Sequence, residues 1–149
     1  MPSPSMSFSL LLNFACSLYM TGLIWFVQVV HYPLFDRVGP QNFALYSRDH
    51  AARTVFVTAP IMLLELALSG WLLLERPRDV PPAWLWSLAA MNLALFASTF
   101  LLQVPLHEKL QSGYSRDAIQ ALVASNWIRT LLWSLRSVAL GYFVWRSGR

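Results

Sequence analysis

Four long apolar stretches dominate this sequence and limit what the chain can fold into. They cover residues 8–30, 54–74, 83–105 and 127–145. A helix needs about 20 residues to cross the hydrocarbon core of a bilayer, and each stretch is close to that length or longer. The pattern predicts an all-α integral membrane four-helix bundle, in which the spans run up-down-up-down within one domain of residues 1–149.

The composition fits a membrane protein better than a soluble one. Apolar residues make up 56% of the chain and charged residues 12%, and no charged residue precedes Asp36. Much of the apolar surface must therefore face a solvent other than water. The eleven basic residues are scattered along the chain, which argues against nucleic-acid binding. We expect the lipid bilayer to surround the chain, and a bacterial inner (plasma) membrane to be its location.

Prolines and glycines are expected to end the helices. Residues 31–33 and Gly39 follow the first apolar stretch, and Gly113 follows the third. Pro40 is expected as the first residue of the second helix, and Ser115 as the cap of the fourth. An even number of spans places the N and C termini on the same side of the membrane. Lys and Arg are divided too evenly between the two sides to identify the cytoplasmic one.

Two charged residues inside the predicted spans are expected to pair. Glu65 in the second span and Arg136 in the fourth both lie about halfway across the hydrocarbon core. An isolated charge there is costly, so we predict an ion pair that joins the two helices. The pair could serve packing alone, or it could relay protons or bind a substrate.

A second polar set gathers at one end of the predicted bundle. Its members come from every helix and are Gln28, His31, His50, Gln103, His107, Asn126 and Arg129. Spacings of three or four residues place the members from one helix on the same face of that helix. If these faces point inward, they form a polar pocket near one membrane face, above an apolar bundle.

The three histidines are the candidate proton acceptors of this pocket. We assign catalytic roles to His31, His50, His107, Asn126 and Arg129. Supporting roles fall to Gln28, Gln103, Glu65 and Arg136. Metal ligation stays open, although no histidine lies in an H-x-x-x-H or H-E-x-x-H pattern, and the sequence requires no cofactor. The same side chains could instead only bond to loop backbone and lipid headgroups.

Two short motifs in the second half of the chain resemble a known family. Pro105-Leu106-His107 lies at the end of the predicted third span, and Asn126-x-x-Arg129 opens the fourth. They are similar to motifs of small four-helix membrane proteins of the anthrone-oxygenase-like family, in which Asn more often stands at the position of His107. The resemblance implies a four-span bundle that oxygenates an electron-rich aromatic compound without metal or flavin.

Two classes of function are compatible with these features. The first is a membrane oxidoreductase or cofactor-independent oxygenase that acts on a lipophilic aromatic or quinone-like molecule. A histidine would remove a proton, while Asn126 and Arg129 would bind the resulting oxyanion. The alternative is a non-enzymatic membrane protein that binds a partner protein, a lipid or a metal through the same polar set. A transporter is less favoured, since the sequence has no inverted repeat.

Overall fold

The computed structural model describes residues 7–149, and this part of the chain is helical without any β-strand. The α-helices are α1 (Phe8–Phe26), α2 (Phe43–Glu75), α3 (Pro82–Ser98), α4 (Val104–Gln111) and α5 (Arg116–Ser147). A π-helical turn, Val27–His31, and a 3₁₀ turn, Pro33–Arg37, continue α1. A second π-helical turn, Thr99–Gln103, joins α3 to α4. This part of the chain therefore forms four long helical rods.

Three of the four rods are long and apolar enough to cross a membrane. They are Phe8–Arg37, Phe43–Glu75 and Pro82–Gln111. The fourth rod, α5, has 32 residues but contains Arg129 and Arg136, which lower its hydropathy. Length and composition thus confirm three of the predicted spans.

Apolar side chains cover the outside of the rods, whereas polar side chains fill much of the interior. Large exposed apolar residues occur on every rod, as shown by Phe8, Phe56, Leu74, Leu101, Leu135 and Val138. Polar residues with almost no exposed surface include Asn13, Ser17, Glu65, Asn92, Asn126 and Arg136. A soluble protein buries its apolar groups, so this distribution is the one expected of helices surrounded by lipid.

Three apolar clusters hold the rods together at successive levels. The first contains Leu10, Leu72, Val80, Leu85, Leu88, Leu140 and Phe143. The middle cluster consists of Met20, Ile24, Met62, Leu95 and Trp133. The last contains Tyr32, Phe35, Phe43, Leu110, Ala118, Ile119 and Leu122. Each cluster joins residues that are far apart in sequence. Since lipid tails are as apolar as these side chains, close packing between the rods, and not transfer from water, provides the stabilisation.

Two of the expected helix boundaries can be compared directly with the structure. Ser115 caps α5 as predicted, because its hydroxyl oxygen accepts a hydrogen bond from the Ala118 N–H at 3.4 Å. The prediction for Pro40 is wrong. The backbone reverses at Gly39, whose φ is 81°, and a turn separates it from α2, which begins only at Phe43.

The two π-helical turns lie just before prolines, and the first of them is where residues 31–33 were expected to end the first helix. Each turn ends two residues before a proline, Pro33 in the first rod and Pro105 in the third. Proline lacks an N–H and clashes with the carbonyl four residues earlier. A π turn bonds five residues back instead, as the Tyr32 N–H does to the Val27 carbonyl at 3.0 Å. The rods therefore continue past both prolines, as the 3₁₀ turn Pro33–Arg37 in the first rod and as α4 in the third.

Candidate functional site

A cavity of about 280 Å³ lies between the rods at the level of the two π turns. Its apolar lining comes from Met20, Leu23, Ile24, Val27, Ala51, Val55 and Val104. Its polar lining comes from Tyr32, His50, Thr54, Thr58, Thr99, Gln103, His107, Glu108, Gln111 and Arg129. All four rods contribute to this lining, and the mixture suits a ligand that has both an apolar body and a polar group.

The π turns help to aim side chains at this cavity. Each turn contains one residue more than a helical turn otherwise would, which rotates the following side chains by roughly 100° about the helix axis. In the first rod, Tyr32 directly follows the turn and is buried against the cavity. In the third rod, Gln103 ends the turn, and His107 lies four residues later on the same face. Such turns are frequent at functional sites.

The three histidines converge at the polar part of the cavity. The distance from His31 Nε2 to His50 Nδ1 is 2.9 Å. The rings of His50 and His107 lie 5.3 Å apart between centroids. The Tyr32 hydroxyl and His107 Nε2 are 3.0 Å apart, within hydrogen-bonding distance. Histidines from three different rods thus form one cluster, although His31 itself does not line the cavity.

Aromatic rings pack around this histidine cluster. Phe35 is fully buried, and its ring lies edge-on to His31 at 5.2 Å and to His50 at 5.0 Å. Tyr46 stacks parallel to His50 at 6.5 Å. Aromatic contacts of this kind favour a fixed ring position. The imidazole of His50 is therefore held between the cavity on one side and an aromatic wall on the other.

Arg129 brings a buried positive charge to the cavity. Its side chain is only 7% exposed, and its guanidinium lies 5.1 Å from the centre of the Trp133 ring. Nη1 donates to Asn126 Oδ1 at 3.3 Å, whereas Nε has no hydrogen-bond partner in the part of the chain that the structure describes. A buried cation is costly when it is not compensated, so this guanidinium is suited to an anionic or strongly polar group.

Asn126 and Gln28 lie behind Arg129 and are not part of the cavity lining. The Asn126 amide donates to Gln28 Oε1 at 2.9 Å, and the Gln28 amide donates to the Val123 carbonyl at 3.1 Å. These bonds fix the orientation of the Asn126 amide, so that its oxygen faces Arg129. Asn126 therefore acts on the cavity through Arg129.

Gln103 is the supporting residue that does line the cavity. Its amide nitrogen donates to the Ser125 hydroxyl at 2.8 Å. Its oxygen, Oε1, is buried and accepts no hydrogen bond among residues 7–149. An unpaired buried acceptor costs roughly 1–3 kcal/mol, which a donor group of a bound ligand would recover.

Glu65 and Arg136 form the predicted ion pair, and neither residue lines the cavity. Arg136 Nε lies 3.4 Å from Glu65 Oε1, and both side chains are buried. Arg136 also donates to the Leu88 carbonyl, to Asn13 Oδ1 and to Ser69 Oγ, while the Trp133 indole donates to Glu65 Oε2 at 3.0 Å. The network draws on all four rods, which is the arrangement expected of a packing contact.

The loop before α5 makes one further polar contact, near the end of the protein that contains the three histidines. The exposed Tyr114 hydroxyl donates to the Asp36 carboxylate, and Arg116 lies 4.0 Å from the same carboxylate. The bond to Asp36 favours the protonated phenol and raises the pKa of Tyr114 above its ordinary value. This contact ties the end of the first rod to the start of the fourth.

The arrangement of the histidines does not favour a metal. Among residues 7–149, no group of three or more His, Cys, Asp or Glu side chains is placed to hold a metal ion. One ring nitrogen of each histidine is already hydrogen-bonded within the protein. His31 and His50 bond to each other, and His107 bonds to Tyr32.

Three threonines of the cavity could not be identified from sequence patterns. Thr54, Thr58 and Thr99 all line it, and a spacing of four residues places the first two on one face of α2. From the sequence, Tyr32, Tyr46 and Arg53 could equally line a pocket or lie at the membrane interface. The structure places Tyr32 in the cavity lining, whereas Arg53 lines a neighbouring groove.

Comparisons with known proteins add no further assignment to this site. No protein family model, no curated protein and no solved structure matches the chain. The resemblance to anthrone-oxygenase-like proteins therefore stays a prediction, and the functional interpretation rests on the geometry of the cavity.

Proposed function

We propose that this protein is an integral membrane oxidoreductase of the cofactor-independent oxygenase type, which acts on a lipophilic aromatic or quinone-like compound. The observation that carries the proposal is the cavity of about 280 Å³, in which an apolar lining adjoins two histidines, Tyr32 and a buried arginine. An apolar ring system would lie against the aliphatic lining. A phenolic or carbonyl oxygen of the same molecule would face Arg129 and the histidines.

The membrane setting is the first part of this proposal. We infer that α5 is a fourth span and that the rods run up-down-up-down, with both termini on one side of a bacterial plasma membrane. In support, the outer face of α5 exposes Leu131, Leu135 and Val138, while its arginines at 129 and 136 are buried. The apolar clusters also unite the start of one rod with the end of the next, as with Leu10 and Leu72. A bilayer would deliver a lipid-soluble substrate directly to the rods.

The volume of the cavity limits the size of the ligand. A dry cavity of about 150 Å³ is known to hold benzene, which has six non-hydrogen atoms. In proportion, the cavity of about 280 Å³ has room for roughly eleven such atoms, or two fused rings with one oxygen. A neighbouring groove shares Leu23, Val27, His50 and Thr54 with the cavity, and this groove could accommodate part of a longer molecule.

The chemistry proposed for the cavity begins with proton removal. A neutral imidazole can accept a proton from a bound ligand, and both His50 and His107 line the cavity. Removal of a proton from a phenol, or from a methylene group next to an aromatic ketone, leaves negative charge on the oxygen. The Arg129 guanidinium would stabilise this charge in surroundings from which water is largely excluded.

Dioxygen is the co-reactant in this scheme. The deprotonated carbon of an activated methylene gives two electrons to dioxygen, forms a carbon–oxygen bond and becomes a hydroperoxide after gaining a proton. The hydroperoxide then loses water to leave a ketone, so that one methylene group and one dioxygen molecule become one carbonyl group and one water molecule. The residues of this protein bind the aromatic body, take up the first proton and stabilise the anion.

Oxygen uptake by the full-length protein in lipid nanodiscs tests this proposal. With 2-tetralone as the substrate, which has two fused rings, one oxygen and an activated methylene group, the wild type should consume oxygen faster than empty nanodiscs, and His50→Gln should reduce this rate by about 10²-fold or more. Arg48→Gln is the matched control, because Arg48 lies on the same helix but is exposed outside the cavity lining. Saturable binding of 2-tetralone without any oxygen uptake would reject the enzyme and support a binding protein instead.

A further inference from the structure

His50 lies at the boundary between two adjacent spaces. One is the cavity, and the other is a groove of about 200 Å³ on the outer side of the contact between the first and second rods. His31 lines the groove but not the cavity. His31 Nε2 and His50 Nδ1 are 2.9 Å apart, so a hydrogen bond joins the two rings. The two imidazoles thus connect the cavity with the groove.

We propose that His31 is a relay residue that carries the substrate proton from His50 to the groove. This inference rests on the proposed function. His50 accepts the proton at Nε2, the ring nitrogen that does not bond to His31. The proton on Nδ1 then passes to His31 Nε2, and His31 releases its own Nδ1 proton into the groove. One proton enters the pair and one leaves it, so both rings stay neutral and change tautomer.

The oxygenation scheme also requires a proton transfer in the opposite direction, from His31 to His50. The peroxide anion needs one proton before it can lose water, and the reverse transfer from His31 to His50 supplies it. That reverse transfer restores the original tautomers of both rings. The pair can therefore start the next turnover without an external redox partner.

His107 cannot pass a proton from the cavity to the groove. It lines the cavity but not the groove, and its Nε2 bonds to the buried Tyr32 hydroxyl. Its other nitrogen, Nδ1, is buried and has no partner among the described residues. A proton that reaches His107 therefore has no onward hydrogen bond to the outside. Arg53 is exposed and lines the groove beside His31, although most of the groove surface is apolar.

A photoacid bound in the cavity can test this relay without a full catalytic cycle. 2-Naphthol consists of two fused rings with one hydroxyl group, and light turns it into a strong acid that emits differently once it has lost its proton. In wild-type nanodiscs we expect bound 2-naphthol to emit as the long-lived anion. His50→Gln should leave only the emission of the neutral form, because the acceptor of the proton is absent.

His31→Gln separates the relay from a structural role. The anion should still form in this variant, but its lifetime should fall by about tenfold, because the proton remains on His50 and returns. Imidazole added to the buffer should restore the lifetime by taking the place of the missing ring in the groove. The affinity for 2-naphthol should not change, and Tyr46→Phe, which keeps the ring that stacks on His50 and removes only its hydroxyl, should behave as the wild type.

The other possible results of this experiment show whether the relay alone or also the proposed function is wrong. A wild-type lifetime in His31→Gln would overturn the relay and leave the proposed function intact. Equal losses of affinity and lifetime in His31→Gln, without any response to imidazole, would show that His31 has only a structural role. If 2-naphthol does not bind, or binds without losing its proton, both the relay and the proposed function are wrong.

Discussion

Glu65 and Arg136 lie 3.4 Å apart, and their side chains are only 1% and 0% exposed. The pair is not isolated, because Arg136 also donates to the Leu88 carbonyl at 2.8 Å, and Trp133 donates to the other oxygen of Glu65. Removal of one partner from a buried pair leaves an uncompensated charge, whereas removal of both leaves none. The energetic consequences of the two changes should therefore differ.

Arg136→Met is expected to lower the free energy of unfolding by about 3–5 kcal/mol, because Glu65 is left buried without its cation. The double variant Glu65→Gln with Arg136→Met should lose clearly less than the sum of the two single changes. Unfolding in mixed detergent micelles measures these differences. Arg78→Met, outside the buried network, is the control and should have little effect. Additive losses would show that the two residues are not coupled.

A large side chain at position 51 should close the cavity. Ala51 lines the cavity, whereas the adjacent Ala52 on the same helix is exposed. We expect Ala51→Phe to weaken 2-naphthol binding by about tenfold or more, since the new ring occupies the space of the ligand. Ala52→Phe should bind as the wild type. A fluorescence titration compares the two variants, and equal affinities would place the binding site elsewhere.

Pro105→Ala tests whether the second π turn positions the site. Alanine supplies the missing N–H and removes the clash, so the third rod can return to α-helical bonding. His107 would then rotate away from the cavity, and 2-naphthol affinity should fall by about tenfold while helix content is retained. Pro60→Ala within α2 is the matched control. An unchanged affinity would mean that the π turn does not depend on the proline.

The bond between Tyr114 and Asp36 should be visible in a pH titration. Since the bond raises the pKa of Tyr114, Asp36→Asn should lower that pKa toward the ordinary value of about 10. The stabilisation from this bond is fully present below about pH 10 and is lost as the pH rises through the raised pKa. Carbon-13 NMR of the tyrosine ring follows the titration, and Tyr114→Phe assigns the signal. An unchanged pKa in Asp36→Asn would show that the bond is absent in solution.

Some features of this structure could be predicted because they depend on residues close in sequence or because the alternative has a large energetic cost. Glu65 and Arg136 could be paired from the sequence, since a charge halfway across a bilayer has few acceptable partners. Ser115 could be identified as a cap from its position before a helical pattern. The gathering of His31, His50 and His107 follows from their placement near one end of three rods.

Other parts could not be read from the sequence, because they depend on where side chains meet. Helical spacing assumes a constant turn, and this assumption fails after Val27–His31 and again after Thr99–Gln103. The contact between Tyr32 and His107 follows both irregular turns, so no spacing rule predicts it. Asn126 has the expected neighbour, Arg129, but only the packing of the rods shows that it lies behind the cavity.

The π turns also determine how the protein should respond to the deletion of single codons. Each turn is longer by one residue than the helix around it requires, so the loss of a single codon within Val27–His31 would restore a regular helix and preserve an apolar rod. That loss would leave the residues on the two sides of it in nearly the same relative orientation, because the turn already accommodates the extra residue. Tyr32 would then still face the cavity, whereas the loss of one codon in the α-helical part of the same rod would rotate it away by about 100°. Single-codon deletions should therefore be tolerated within the two turns better than in the α-helical segments beside them.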